Sequence, residues 1–271
     1  MVSADSQQLY RGLDVGTAKP TGEERAAVPH HLIDVAEPGE GWDAARFVRA
    51  ADEAIAGIAA RGRVPLVVGG TGLYLRALLH GVVEAPGRDP ELRSRLEEEA
   101  RRAGRPAVHA RLAAVDPEAA ARIRPNDLVR IVRALEIAAS GRTQSERFKE
   151  HAFAPDRYRA TIFALDPPRE ELHRRIDARV EAMFAGGLLE EARALIERFG
   201  DGLPEKLPIG YTAAVAVVRG ECPLPEAIRR VQAETRQYAR RQVMWLRRER
   251  GVEWLPPPWD VERLTQRVSH L

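Results

Sequence analysis

The chain has almost no cysteine and almost no lysine. Its one cysteine, Cys222, cannot form an internal disulfide, which suits a reducing compartment. Placed directly before Pro223, it reads as a structural or incidental thiol. Lysine is confined to Lys19, Lys149 and Lys206; every other Lys/Arg-type cation is arginine. Arginine's planar fork suits phosphate recognition, although coding bias toward arginine and alanine accounts for the overall ratio. No apolar run approaches membrane-spanning length, and the N-terminus lacks the basic and apolar regions of a signal peptide. These absences point to a cytoplasmic protein without a membrane partner. A formal net charge of +2 over 271 residues does not announce a nucleic-acid binder, so the distribution of charge has to speak instead. The length suffices for one large domain, or for a core plus an insertion.

Along the chain, "AARFVRAADEAIAGIAARG" has apolar residues near helical spacing and ends at Gly62. "RVPLVVGG" (63–70) then reads as a buried strand ending in glycines, and "LYLRALL" opens another helix. This alternation predicts a parallel sheet with crossover helices. From Pro86 the texture changes. "RDPELRSRLEEEARRAG" predicts a charged helix with Asp89 as N-cap, Pro90 in its first turn and Gly104 at its stop. Helical patterning continues to Gly141. "YRATIFALD" (158–166) restores a β-rich run, and Asp166-Pro167-Pro168 opens a long helix interrupted at Gly186-Gly187. The predicted organisation is a core over 1–84 and 158–271, with a helical insertion over 85–157.

Three stretches could carry chemistry. In "VVGGTGLYLRALL" a strand runs through Gly69, Gly70, Thr71 and Gly72 into a helix. Such glycines let backbone N–H groups approach an anion, and the helix start adds partial positive charge. The pattern is also common in α/β proteins without ligands, and it is not a Walker A loop, because no Gly-Lys-Ser/Thr follows. At the start of the chain, Asp5, Ser6, Gln7 and Gln8 follow the tail of a strand. Asp5 is therefore expected at the carboxyl end of a sheet strand, where open α/β sheets place ligands. A carboxylate there can act as a general base and neighbouring amides can read base edges; a plain helix N-cap is the competing reading. In "IRRVQAETRQYARRQVMWLRRER" (228–250), Arg229, Arg236, Arg240 and Arg247 share one helical face, with Arg230, Arg241 and Arg248 beside them. Only Glu234 and Glu249 balance eight arginines there. That bias favours a polyanion, most simply nucleic-acid phosphates.

The opening segment "DSQQLYRGLDVGTAKP", "GGTGLY", "RYRATIFALDPPREELHRRIDARVEAMFAGGLLEEARAL", "IGY" and "RQYARRQVMWLR" occur in one order. Together they resemble the bacterial tRNA dimethylallyltransferase (tRNA isopentenyltransferase) family over essentially the whole chain. The resemblance implies an α/β fold with a P-loop-kinase-like parallel sheet and a helical insertion that helps clamp the tRNA anticodon arm. It implies transfer of a dimethylallyl group from dimethylallyl diphosphate to the exocyclic amine of the adenosine after the anticodon, with Mg2+ assisting and with the protein a monomer.

The same resemblance implies roles for individual residues. Asp5 matches the aspartate that accepts the amine proton, and burial raising its pKa from about 3.9 would improve it as a base. Ser6, Gln7 and Gln8 match the segment against the tRNA. Thr71, flanked by Gly70 and Gly72, matches a threonine near the diphosphate. Arg93 matches an arginine facing the leaving diphosphate. Further tRNA contacts are expected in Val129, Arg130, Ile131, Val132 and Arg133, which match a Gln-Arg-x-x-Arg segment with valine in place of glutamine. Gly210 and Tyr211 match a contact loop, although Leu207 and Pro208 are less polar than usual there. Arg240, Arg241, Gln242 and Trp245 match the basic helix, with Met244 where threonine is usual.

In the family a strand, a phosphate-binding P-loop and its helix precede "VSADS", whereas here Met1 abuts Val2. The resemblance therefore implies that this unit, its diphosphate grip and a magnesium-ligating hydroxyl are missing. Two other classes compete: a non-catalytic tRNA-binding remnant, and a small-molecule adenylate isopentenyltransferase or kinase. The arginine helix and the "DSQQ" segment favour an RNA acceptor over the second. A zinc-finger extension of the kind found in some eukaryotic relatives is excluded by the single cysteine.

Overall fold

The computed structural model describes residues 1–83, 85–151, 156–260, 262, 265 and 266. Glu84, the expected end of the first core segment, lies outside them. In chain order the elements are β1 (Val2–Ser3), α1 (Gly22–Ala27), α2 (Ala44–Ala60), β2 (Val67–Val68), α3 (Gly72–His80), α4 (Pro90–Ala103), α5 (Arg105–Val115), α6 (Pro117–Arg122), α7 (Leu128–Ala139), α8 (Gln144–His151), β3 (Ile162–Leu165), α9 (Arg169–Ala185), α10 (Leu188–Phe199), α11 (Tyr211–Val218), α12 (Leu224–Leu246) and β4 (Val252–Leu255). The chain divides into two compact units, 1–79 with 158–271, and 80–157.

The first unit is a helix-rich α/β body with two small parallel sheets, β1 on β2 and β3 on β4. Val2 pairs with Val67 and Ile162 with Val252. Parallel neighbours need crossover connections, and α2 and the long α9–α12 run supply them. The main core gathers Leu13, Val180, Phe184, Leu188, Tyr211 and Val231 from the Leu13 loop and from α9 to α12. Gly186 and Gly187 do interrupt the long helix, and the left-handed Gly187 (φ 118°) starts α10. A conformation of that kind disfavours any side chain with a β-carbon.

The strand reading of 63–70 needs correction. Only Val67–Val68 form a strand, and Val64, Leu66 and Val68 are 53%, 54% and 46% exposed rather than buried. Of these three only Val68 lies in β2, and each keeps about half of its surface open to solvent.

The second unit is all helical among its described residues. Asp89 caps α4 by accepting from the Leu92 amide at 2.9 Å, and Gly104 ends the helix at φ 85°. Leu96, Val108, Leu112, Ile131 and Val132 form its core. Buried Asp116 caps α6 through the Ala119 amide and also accepts from the Ser145 amide at 3.0 Å. No described helix is long and apolar enough to cross a membrane.

Candidate active site at the Asp5 turn and the Thr71 loop

β1 delivers its chain end directly to the site. The Ala4 amide donates to Val68 O at 2.7 Å, and the chain then turns at Asp5. Asp5 Oδ1 accepts from the Gln7 and Gln8 amides at 2.8 and 3.4 Å. No helix follows Asp5, so the helix N-cap reading is corrected: Oδ1 closes a turn, and Oδ2 takes no hydrogen bond from any described residue. Burial pushes the Asp5 carboxyl above the usual range, and the two amides only partly offset it.

The Gly69–Gly72 loop lies against this turn. The Ser6 amide donates to Thr71 Oγ1 at 2.9 Å, the two hydroxyls are 3.3 Å apart, and the Thr71 amide donates to Ala4 O at 3.2 Å. A β-carbon on Gly69 would run into the Ala4 carbonyl, so glycine is what allows the close approach. The Thr71 carbonyl accepts from Tyr74 and Leu75. Thr71 thus sits at the start of α3, where the helix dipole favours negative charge. Behind it, Tyr74 stacks on Phe47 with centroids 4.2 Å apart and donates to Trp42 O. Burial first, then the nearby Tyr10, Asp43 and Asp5, raise the Tyr74 phenol, so it stays protonated.

The two glutamines differ. Gln7 Nε2 donates to Ser6 Oγ at 3.0 Å. Gln8 is fully occupied within the protein: its Oε1 accepts from Ser3 Oγ, and its Nε2 donates to Thr17 O and Ala18 O. With its amide used in this way, Gln8 braces the Thr17 turn and has no donor left to read a base. Lys19 Nζ, 4% exposed, donates to Tyr10 O, Asp14 Oδ1 and Asp34 Oδ1, each at 2.6 Å. The Glu191 carboxylate accepts the amides of Asp14, Val15 and Gly16. Lys19 and Glu191 thereby pin both ends of the turn that Gln8 touches.

Gly210 and Tyr211 are buried, and a β-carbon on Gly16 would collide with the Tyr211 ring. The Tyr211 side chain is thus a core anchor in this structure, not a surface contact.

On α12, Arg229, Arg240 and Arg241, and just past its end Arg247 and Arg248, are exposed and make no ion pair with any described residue. Arg236 departs from that row, since it pairs with Asp177 of α9. Arg230 pairs with Glu234 at 3.0 Å. Gln242 and Trp245 face inward: a β-carbon on Gly70 would meet the Gln242 amide, and one on Gly72 would meet the Trp245 indole.

Within the second unit, Arg93 donates from Nη2 to Glu136 Oε2 at 2.8 Å and from Nε to Oε1 at 3.3 Å. Glu136 is buried and also accepts from the Asp89 amide and from Arg133. Burial acts upward on its pKa, but Arg93, the Asp89 amide and Arg133 outweigh it and hold the carboxyl low. In the 129–133 segment, Ile131 and Val132 are core residues and present no side chain to a partner. Val129 is exposed, Arg130 pairs with Asp127, and Arg133 holds the Pro86 carbonyl at 2.8 Å.

Some of these supports could be found from sequence. Glu136 is an acid at an apolar-periodic position of α7, and Lys19 is one of three lysines in an arginine-rich chain. Glu191 carries no such signal, because the three amides it caps lie more than 170 residues away.

Comparison with known proteins identifies the family of the chain. The IPP transferase family model matches residues 8–249. A tRNA dimethylallyltransferase of Anaeromyxobacter dehalogenans is 75% identical over 269 residues, covering 99% of this chain and 90% of the relative. One from Myxococcus xanthus is 53% identical over 96% of this chain and 85% of its own length. Among solved structures, the tRNA isopentenylpyrophosphate transferase of Bacillus halodurans aligns with TM-score 0.67 at 36% identity, covering 99% of this chain and 85% of its own. A eukaryotic dimethylallyltransferase acting on tRNA aligns with TM-score 0.81 at 27% identity, over 98% of this chain and 70% of its own. With the family model matching residues 8–249, and relatives matching nearly the whole chain, the chain belongs to the IPP transferase family.

Proposed function

We propose that this chain transfers a dimethylallyl group from dimethylallyl diphosphate to the N6 amine of the adenosine 3′-adjacent to the anticodon of tRNA, releasing diphosphate. The observation that carries the reading is the Asp5–Thr71 arrangement. A half-buried carboxylate with a raised pKa and one unused oxygen stands beside a hydroxyl at a helix start. The related enzymes named above act on tRNA by their names, and the exposed arginines of α12 supply a surface for its phosphates.

The chemistry follows from those groups. The adenine amine attacks the donor's allylic CH2 that bears the diphosphate, the carbon–oxygen bond to diphosphate breaks, and the amine proton passes to Asp5. Reaching that amine requires the base to leave its stack. The Thr71 hydroxyl and the start of α3 favour the negative diphosphate. Its match to the family's arginine, and not a contact in this structure, is what assigns Arg93 to the charge that grows on the leaving group.

Magnesium needs few protein oxygens when phosphates and water complete its shell. Among the described residues no cluster of three acidic, histidine or cysteine side chains is assembled for a metal. The residues therefore fit an ion that arrives with the donor, next to the Thr71 and Ser6 hydroxyls, where it would offset diphosphate charge. We read the core as P-loop-kinase-like, in keeping with two parallel strand pairs and intervening helices. The unit over 80–157 is the anticodon-arm clamp in this reading, and the protein works as a cytoplasmic monomer.

Incubating the chain with radiolabelled dimethylallyl diphosphate, tRNA and AMP tests the proposal. Label in tRNA is expected when the family's strand and P-loop unit are placed before Val2, and tRNA binding with little or no label from the 271-residue chain without them. Label in AMP alone would make it a small-molecule transferase, and tRNA binding without label by the extended chain would make it a non-catalytic binder.

A further inference from the structure

Trp245 and Gln242 belong by sequence to the tRNA-facing helix, yet both point at the Thr71 loop. Gly72 and Arg76 are four residues apart, on one face of α3. The Trp245 indole is wedged over that face. One contact is Gly72, where a β-carbon would collide with the ring; the other is the Arg76 guanidinium, 5.8 Å from the ring centroid. Arg76 is itself tied to Glu249 at 3.2 Å, and the Glu249 side chain is buried. One turn earlier on α12, the Gln242 amide occupies the space a side chain at Gly70 would need. The residues on either side of Thr71 are therefore both backed by α12. On the opposite side the loop is bonded to Ala4 and Ser6.

We infer that Trp245 and Gln242 are positioning residues that hold Thr71 against the Asp5 turn, rather than contacts for tRNA. The inference rests on the transferase reading for its consequence, and on geometry alone for the contact. The loop is glycine-rich, so its backbone has wide conformational freedom unless something restricts it. A rigid indole on Gly72 provides that restriction at little entropic cost. The outward residues of the same helix, Arg240 and Arg241, remain available to phosphate. One helix thus carries two separable tasks on two faces.

Hydrogen exchange of the 69–73 amides and tRNA affinity, measured on the same proteins, test this. W245A should speed loop exchange by about tenfold or more while changing tRNA affinity by less than about twofold. W245F should restore most of the protection. R240A should do the reverse, weakening tRNA and leaving the loop protected. In transfer assays with the strand and P-loop unit in place, W245A should lower kcat by about 10- to 100-fold with KM for tRNA unchanged. G72A should loosen the loop by itself, yet add little when combined with W245A, because the collision partner is gone. Unchanged loop exchange in W245A, with tRNA affinity reduced as in R240A, would overturn the inference. If the extended wild-type chain transferred nothing to tRNA, the proposed function would fail, and the exchange measurement would still decide whether Trp245 holds the loop.

Discussion

Tyr211 donates its phenolic hydrogen to Glu191 at 2.5 Å, on the same carboxylate that caps the Asp14, Val15 and Gly16 amides. Burial, then the Glu191 bond and charge, push the phenol pKa up, so it stays a donor at all physiological pH. The pair locks α10 and α11 to the turn that Gln8 braces. Tyr211→Phe should cost about 1 kcal/mol, the net worth of an ordinary buried hydrogen bond. Glu191→Ala should cost more, since it orphans three amides together. Urea unfolding midpoints check both. tRNA affinity of Tyr211→Phe should stay within about twofold of wild type; a clear drop in affinity at unchanged stability would return Tyr211 to the RNA surface.

Lys19 gives a second prediction, about pH. Burial acts upward on Asp34, but the hydrogen bonds and charges of Lys19 and Arg25 outweigh it and hold its carboxyl below the usual range. A depressed folded pKa means stability that is present above the ordinary carboxylate pKa and is lost as pH falls through the folded one. Lys19→Met should therefore destabilise at neutral pH, by about 1–3 kcal/mol. The gap to wild type should narrow as the pH is lowered below the ordinary carboxylate range. A gap independent of pH would mean that Lys19 acts through packing alone.

The outer face of α12 is tested by salt. Arg240→Ala and Arg241→Ala should each weaken tRNA binding and reduce the log–log salt slope by roughly one unit for each phosphate the arginine no longer neutralises. Arg236→Ala should leave that slope unchanged, because Arg236 is already paired with Asp177. Equal slopes in all three variants and wild type would make this face a solvated surface without an RNA role.

What could be read in the sequence was local. Asp89, Pro90 and Gly104 mark the ends of α4 because caps and stops act over three or four residues. Asp5 lands at the end of β1 for a similar reason, since the strand and the turn are adjacent in the chain. What could not be read depends on partners far along the chain. The helical wheel puts Arg236 among the outward arginines, and only the approach of α9 turns it into an ion pair. Gln8, Tyr211, Gln242 and Trp245 all read as polar or aromatic contact residues. Gln8 is taken up by Ser3 and the Thr17 turn, which lie within ten residues but are joined to it only by the fold. Glu191 takes up Tyr211, and the far-off glycines on either side of Thr71 meet Gln242 and Trp245. The exposed Val64, Leu66 and Val68 follow the same rule, because an apolar run does not state which of its faces will be covered.

Asp5 links stability to activity. Its raised pKa means the folded state binds the proton more tightly than the unfolded state. Stability therefore falls as pH rises from the ordinary carboxylate range through the folded pKa. Asp5→Asn removes that charge while keeping an oxygen for the Gln7 and Gln8 amides. It should be at least as stable as wild type at neutral pH by thermal unfolding. A clear destabilisation would mean that the charge itself is needed to hold the turn.

The most direct measurement of the central claim is single-turnover transfer of labelled dimethylallyl to tRNA by wild type and Asp5→Ala, each with the strand and P-loop unit placed before Val2, and with tRNA binding measured on both. If Asp5 takes the amine proton, transfer falls by about two to four orders of magnitude and binding changes by less than about threefold. The wild-type rate should also fall as pH drops, over a range higher than that of an ordinary aspartate, because burial raises the Asp5 pKa. Near-normal transfer by Asp5→Ala would contradict the account and remove the Asp5 turn from the chemistry.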